Sequence, residues 1–365
     1  MRNPTSAINT AGESESKLRV GGLDTIRILC AIAVVACHLG LFPKRVFGDD
    51  PHGLLLVIRG LADTLINGEA ALIVFFVISG FGIHFSSRRD LTVDVPSFYG
   101  RRLIRIGGPA LVGLLVWALA GIPFQPEGPG PFWTITCEAE YYLLYPLLLA
   151  LRRQFGWWPL IVVTQIFAYG LAFTHLDEIR AMVNAYPAFG WWNWVMGLPC
   201  WLLGCWLAEA FPRFPQLSTA KIWLVRISLF GVAFVANVLR FHGGSVFFAA
   251  PFFVNVFVIA ECFWLGLEIA YRKEKPAPRI LEWAGNWTYS IYLMHPTIPG
   301  FLSYLPFLSL LWASAGGNLF MVCCAFVLAY GFHLAVEAPF YRLAIKVGRL
   351  LKARRPAPAL AVPDV

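Results

Sequence analysis

Long apolar stretches recur along the chain and are separated by short polar segments. A transmembrane helix needs about 20 mostly apolar residues. Counted on that rule, ten stretches are long enough to span a bilayer: about 23–42, 69–87, 107–123, 137–151, 157–174, 191–210, 222–241, 247–271, 286–304 and 314–336. The pattern therefore predicts an all-α membrane protein, a bundle of about ten transmembrane helices.

One further apolar stretch, Leu54–Ile66, is too short to cross a bilayer. It is about 13 residues long and carries Arg59 and Asp63 one helical turn apart. Segments of this length are typical of interfacial or re-entrant helices, and we expect one here.

The distribution of basic residues predicts the orientation of the bundle. If the N-terminus is cytoplasmic, all but five of the 29 lysines and arginines fall in cytoplasmic segments. Lysine and arginine are enriched in cytoplasmic loops of membrane proteins. We therefore expect both termini in the cytoplasm, with an N-terminal segment at 1–22, a membrane domain at 23–343 and a basic, partly disordered tail at 344–365. The five exceptions are Lys44, Arg45, Arg59, Arg180 and Arg240.

Composition agrees with the membrane assignment and argues against nucleic-acid binding, a disulfide framework and a metal site. The chain is 58% hydrophobic and 14% charged, whereas soluble domains carry about 25% charged residues. Because topology accounts for most of the net charge of +8, we expect no nucleic-acid partner. The eight cysteines form no CxxC pair, so neither a disulfide framework nor a metal site is indicated. The first span is typical of an uncleaved signal-anchor, because no cleavage site follows it.

The first span, LDTIRILCAIAVVACH, carries Asp24, Arg27 and His38. Eleven residues turn an α-helix through about 1100°, so Arg27 and His38 share one face about 16 Å apart, with Asp24 about 40° away. Ionisable groups aligned on a membrane helix indicate a polar pathway inside a bundle. The alternative is a hydrogen-bonded core histidine with two interfacial charges that only orient the helix.

A small-residue notch and an arginine cluster follow. FFVISGFGIHF holds Ser79 and Gly80, where a ligand or, more commonly, a neighbouring helix can approach the backbone. SFYGRRLIRIGGP holds Arg101, Arg102 and Arg105 at the start of the third span. Convergent guanidiniums can clamp phosphates, although spacing alone favours anchoring to anionic lipid head groups.

Later spans carry further ionisable groups. In WTITCEAEYYLLYP, Glu138 and Glu140 lie about 200° apart around a helix, so they should face different neighbours. A carboxylate in this setting needs a cationic partner or becomes neutral. In NWTYSIYLMHP, His295 precedes Pro296, where the helix must kink or end. For Glu337 we expect a mainly structural role, pairing with a cytoplasmic basic loop.

These motifs together resemble the acyltransferase family 3 membrane proteins. LDTIRILCAIAVVACH, FFVISGF, RRLIRI, WTITCEAEYYLLYP, TYSIYLMHP and VEAPFYRL are similar to that family's motifs and occur in the same order, over about residues 23–343. The chain departs from the family at Thr25, where glycine is usual, at Thr134 and Thr136, which replace serines, and at Ala139, which replaces a frequent acidic residue. Glu138 is left as the matching carboxylate.

The resemblance implies transfer of an acyl group, usually acetyl from acetyl-coenzyme A, to a hydroxyl of a glycan, glycolipid or lipo-oligosaccharide at the bacterial inner membrane. Coenzyme A would be a substrate, and no permanently bound cofactor is implied. We expect His38 to act as general base or transient acyl carrier. Asp24 and Arg27 would order the donor path, and Glu138 would orient or charge-balance a histidine or an arginine.

The remaining roles concern the two substrates. Arg102 and Arg105, with Arg101 beside them, would hold the phosphates of coenzyme A. Ser79 and Gly80 would let the donor arm pass close to the backbone. His295 and Tyr292 are assigned to acceptor placement or helix packing. The acceptor itself is not encoded in these motifs.

Two other classes of function fit parts of the pattern. A proton-coupled transporter or flippase could use Asp24, His38, Glu138 and His295 as a relay, but the paired repeats common in such folds are absent from the sequence. A membrane-embedded assembly partner for glycan synthesis would need no catalytic histidine. The motifs favour the enzyme.

Overall fold

The computed structural model describes residues 20–40, 52–123, 132–181, 186–249, 251–305, 307 and 317–353, and all regular structure within them is helical. The predicted all-α class is confirmed for this part of the chain. The α-helices are α1 Leu23–Leu39, α2 Leu54–Asp63, α3 Gly68–Phe85, α4 Val95–Arg102, α5 Gly108–Leu119, α6 Trp133–Phe155, α7 Trp157–Thr174, α8 Leu176–Ala181, α9 Asn193–Ala210, α10 Thr219–Phe241, α11 Val254–Arg272, α12 Arg279–Gly285, α13 Thr288–Met294, α14 Thr297–Ser303, α15 Gly317–Phe332 and α16 Ala338–Ala353.

Seven stretches of the described helices are long and apolar enough to cross a membrane. They overlap seven of the ten predicted spans, and the first also includes the short segment at 54–66. The count of ten and the orientation stay predictions. The seven are Leu54–Phe85, Val95–Leu119, Trp157–Thr174, Phe189–Arg213, Thr219–Phe241, Val254–Arg272 and Gly317–Ala353.

The other three predicted spans differ from these seven in length, in charge or in continuity. Helix α1 has only 17 residues, and α6 contains two glutamates and two arginines. The segment 286–304 is divided into α13 and α14 around Pro296. This break confirms the expected effect of Pro296, which has no backbone N–H to continue the helical hydrogen bonds.

The short apolar segment at 54–66 forms α2, none of whose ten residues is buried. The predicted domain boundary after residue 343 falls inside α16, which continues to Ala353 and packs on α4. Ser97 Oγ donates to the carbonyl of Gly348 at 3.1 Å. Residues 1–19 of the predicted N-terminal segment, Lys44 and Arg45, and the predicted disorder at 354–365 lie outside the described residues.

Two large apolar clusters and one small one, of Ala70, Ala233 and Phe257, build the interior of the described part of the chain. The first large cluster is formed mainly by α3, α6, α7, α9 and α11, and the second by α1, α5, α13, α14 and α15. The first is centred on the crossing of α3 and α9, where a Cβ added to Gly80 would overlap the carbonyl of Trp201 and one added to Gly204 would overlap the carbonyl of Val77. Glycine is therefore required on both helices for their backbones to approach this closely.

Candidate active site

A cavity of about 660 Å³ lies between the two large apolar clusters. This volume is typical of small-molecule sites. Among the described residues, four arginines and three carboxylates line it, together with two histidines and four tyrosines. These are Asp24, Arg27, Arg102, Arg105, Glu138, Tyr142, Tyr289, Tyr292, His295, His333, Glu337, Tyr341 and Arg342.

Helix α1 forms one wall of the cavity along most of its length. Its lining residues run from Leu23 to Val35, a rise of about 18 Å. Near its start, Arg27 Nη1 donates to Asp24 Oδ1 at 2.7 Å. Gly285 allows α12 to approach here, because a Cβ at that position would overlap the carbonyl of Asp24.

His38 stands at the far end of the same helix face. It follows Val35 by less than one turn and is exposed, and it does not itself line the cavity. Its Nδ1 lies 2.8 Å from Nε2 of His295, which is fully buried and does line the cavity. The His38 imidazole is therefore connected to the cavity by its hydrogen bond to the His295 ring.

Glu138 ends a chain of hydrogen bonds that crosses three helices. Trp201 Nε1 donates to Ser79 Oγ at 3.3 Å, and Ser79 Oγ lies 3.1 Å from the hydroxyl of Tyr142. The Tyr142 hydroxyl donates to Glu138 Oε2 at 2.9 Å. Because that hydroxyl has only one proton, Ser79 must donate to it. All the donors in this chain thus point toward the carboxylate.

The two glutamates of α6 face different surroundings, as their spacing predicts. Glu138 lines the cavity, whereas Glu140 is exposed. This difference follows from the helical period alone.

Arg102 and Arg105 enter the cavity against aromatic rings. The Arg102 guanidinium carbon lies 5.7 Å from the Tyr142 ring centroid, and that of Arg105 lies 5.0 Å from the Tyr341 ring centroid. Within the described part of the chain, neither guanidinium forms an ion pair with a carboxylate. Both are therefore available to an anionic ligand.

Two π-helical turns shape the cavity wall near these arginines. Leu103–Gly107 joins α4 to α5 and contains Arg105, and His333–Glu337 joins α15 to α16. Such turns add a residue to the helical cycle and are frequent at functional sites. Tyr289 donates to the carbonyl of Ile106, within the first turn, at 3.0 Å.

The carboxylate of Glu337 has different partners from the ones expected. Its Oε2 accepts from Ser290 Oγ at 2.5 Å and lies 3.0 Å from His333 Nδ1. The prediction that it pairs with a cytoplasmic basic loop is wrong, because its partners are a buried serine of α13 and a histidine that lines the cavity. Glu337 is the last residue of the second π-helical turn and lines the cavity.

Two predicted donor-binding residues are not in the cavity. Gly80 faces α9, where the carbonyl of Trp201 fills the space beside it, so its role is helix packing. The stem of Arg101 packs on Gly348 of α16. Arg102 lines the cavity, whereas the next residue along the helix, Arg101, points about 100° away and is directed toward α16.

Sequence reasoning also missed several lining residues. Tyr142 follows Glu138 by four positions and His333 precedes Glu337 by four, a spacing that places each pair on one helical face and could have identified them. No comparable signal marks Ser290, which donates to Glu337 but does not itself line the cavity. Arg342 stands in a quoted motif but was not assigned to the site.

Comparisons with known proteins agree with the family resemblance of the sequence motifs. The sequence model of the family described as the acyltransferase domain matches residues 20–334. This range includes both histidines of the pair and Glu138, and it ends before Glu337 and Arg342. Acyltransferase MdmB of Streptomyces mycarofaciens is 26% identical over 391 aligned residues, which cover 89% of this chain and 92% of that protein. No solved structure matches.

Proposed function

The chain belongs to acyltransferase family 3, and from that premise we propose that it moves an acyl group from acyl-coenzyme A to a hydroxyl of a glycan, glycolipid or lipo-oligosaccharide at the bacterial inner membrane. Acetyl is the acyl group we expect first. The observation that carries the proposal is a cavity along α1 with a histidine pair at its end and with Arg102 and Arg105 in its wall, neither of which forms an ion pair with a carboxylate of the described residues.

The arginines suit the donor substrate. Coenzyme A carries phosphate groups at one end and the thioester at the other, joined by a long flexible arm. Arg102 and Arg105 would bind the phosphates, because guanidinium groups pair with phosphate oxygens in two parallel hydrogen bonds. Arg342 lines the same cavity and would add a third positive charge. The arm would then extend along the α1 wall toward the histidine pair.

His38 would act as the general base. It takes the proton of the acceptor hydroxyl as that oxygen attacks the thioester carbonyl. The carbon–oxygen bond forms, the carbon–sulfur bond breaks, and the departing thiolate of coenzyme A receives the proton from His38. Neutral imidazole has the proton affinity that this cycle requires near neutral pH.

The carboxylates would act at the other end of the path. Asp24 holds the Arg27 guanidinium on the cavity wall. Glu138, supported by Tyr142, would balance the charge of the nearby arginines when the donor is absent. Ser79 belongs to this chain of hydrogen bonds, which is a more specific role than leaving room for the donor arm.

Mass spectrometry of surface glycans and secreted lipo-oligosaccharides tests the proposal in cells with and without the protein. We expect one molecule to lose the mass of a single acetyl group when the gene is deleted, and His38→Ala to behave like the deletion. Cys37→Ser, on the adjacent residue of α1, is the matched control and should restore the acetylated product. Unchanged acetylation in the His38→Ala strain would contradict the role of His38, and a changed location of an unmodified glycan would favour a transporter.

A further inference from the structure

The two imidazoles at the end of α1 form a directed hydrogen-bonded pair. Besides the contact between His38 Nδ1 and His295 Nε2 at 2.8 Å, His295 Nδ1 lies 3.0 Å from the carbonyl oxygen of Ile291. The two ring centroids are 5.0 Å apart. Both nitrogens of His295 are therefore engaged by the protein.

The carbonyl of Ile291 determines where the protons are. A carbonyl oxygen can only accept a hydrogen bond, so His295 Nδ1 carries a hydrogen and donates it. A neutral imidazole has a single N–H, which leaves His295 Nε2 as an acceptor. His38 must then donate from Nδ1, and its own Nε2 carries no hydrogen.

His38 Nε2 is the nitrogen of the pair that stays open to a substrate. It has no hydrogen-bond partner among the residues that the structure describes. A lone pair on this atom, at an exposed ring, can accept a proton from a bound hydroxyl. His295 cannot serve as the base in this arrangement, because its Nδ1 faces a carbonyl and its Nε2 faces His38.

We propose that His295 is a positioning residue that holds His38 in the Nδ1–H tautomer, so that Nε2 is the atom that receives the proton of the acceptor hydroxyl. This inference rests on the proposed function, in which His38 is the general base. Free histidine in water favours the opposite tautomer, with the hydrogen on Nε2. Without the acceptor nitrogen of His295, the basic atom of His38 would thus be blocked most of the time. Catalytic imidazoles are commonly oriented through the nitrogen that does not react.

The fold holds His295 firmly enough for this role. Its side chain is fully buried and follows the last residue of α13, immediately before Pro296. Its backbone N–H donates to the same Ile291 carbonyl at 3.0 Å, so backbone and side chain are tied to one oxygen. The helix break at Pro296 ends α13 here, and α14 begins one residue later.

The hydrogen bond between the two rings is also compatible with the protonated, charged form of His38 that arises during the reaction. When His38 Nε2 takes the proton, the ring becomes an imidazolium, and its Nδ1–H still donates to the neutral Nε2 of His295. Hydrogen bonds from a charged donor are stronger than those between neutral groups. His295 therefore supports both states of His38 without a change of geometry.

Two substitutions separate positioning from packing. In His295→Gln the side-chain oxygen can replace Nε2 as acceptor, and we expect kcat within roughly tenfold of wild type. In His295→Leu no acceptor remains, and we expect kcat to fall by about 100-fold or more, with the dissociation constant for acetyl-coenzyme A unchanged. Thr297→Val, at the start of α14, is the control for packing, since the Thr297 hydroxyl donates to the Met294 carbonyl at 2.7 Å and has no other hydrogen-bond partner among the described residues.

Nitrogen-15 NMR of histidine-labelled protein reads the tautomer directly, with the His38→Ala variant used to assign the signals. We expect His38 to show a protonated Nδ1 and a bare Nε2 in wild type and in His295→Gln, and a protonated Nε2 in a folded His295→Leu. A protonated Nε2 in wild type would overturn the inference, as would equal losses of kcat in His295→Leu, His295→Gln and Thr297→Val. Either result leaves the proposed function standing if wild type still transfers acetyl and His38→Ala does not.

Discussion

Removing the Tyr142 hydroxyl tests whether the hydrogen-bonded chain in the cavity serves catalysis. Tyr142→Phe keeps the ring against Arg102 and deletes the donor that lies 2.9 Å from Glu138 Oε2. It also removes the acceptor of Ser79 Oγ. The carboxylate of Glu138 then stays in the cavity with one donor fewer.

The magnitude follows from the kind of hydrogen bond that is lost. Hydrogen bonds to charged groups are worth about 1.5–3 kcal/mol. If all of this supports Glu138 during transfer, kcat/KM should fall by roughly 10- to 150-fold. Ser79→Ala removes a bond between two neutral hydroxyls, worth about 0.5–1.5 kcal/mol, and should have a smaller effect. Because Ser79 acts through Tyr142, the double variant should lose less activity than the product of the two single losses.

The assay is transfer from radiolabelled acetyl-coenzyme A by purified protein in detergent or nanodiscs, once the acceptor is known from mass spectrometry. Tyr141→Phe is the matched control, because the Tyr141 hydroxyl donates to the carbonyl of Trp194 at 3.0 Å and does not line the cavity. We expect Tyr141→Phe to lower thermal stability and leave transfer within about twofold of wild type. Equal activity of Tyr142→Phe and wild type would refute the reasoning, and so would equal losses in Tyr141→Phe and Tyr142→Phe.

The remaining predictions concern the donor and the bundle. Combining Arg102→Ala with Arg105→Ala should weaken acetyl-coenzyme A binding by about tenfold or more in calorimetry. Arg101→Ala is the control, because Arg101 lies outside the cavity, and it should not weaken binding. An unchanged affinity in the double variant would contradict the assignment of these arginines to the phosphates. Gly204→Ala should destabilise the protein by about 1–3 kcal/mol in thermal unfolding, because two backbones must separate. Gly231→Ala, with open space beside it, should be neutral or stabilising by about 0.5–1 kcal/mol, and equal effects at the two glycines would contradict the packing.

Some features of the site depend only on the local helical period, and the sequence determined these. Asp24 and Arg27 lie on the cavity wall because they are three residues apart on one helix. Glu138 is inside and Glu140 outside because two residues turn a helix through about 200°. The break at Pro296 follows from its missing N–H.

Other features depend on which helices meet and at what depth, and these only the tertiary structure decided. His38 and His295 are 257 residues apart in the sequence, and nothing in either segment specifies that their rings touch. Gly80 was assigned to the donor path because a small-residue notch looks the same whether a ligand or a helix fills it. Periodicity gives each residue a direction around its own axis, but the partner in that direction is set by how the helices pack against one another.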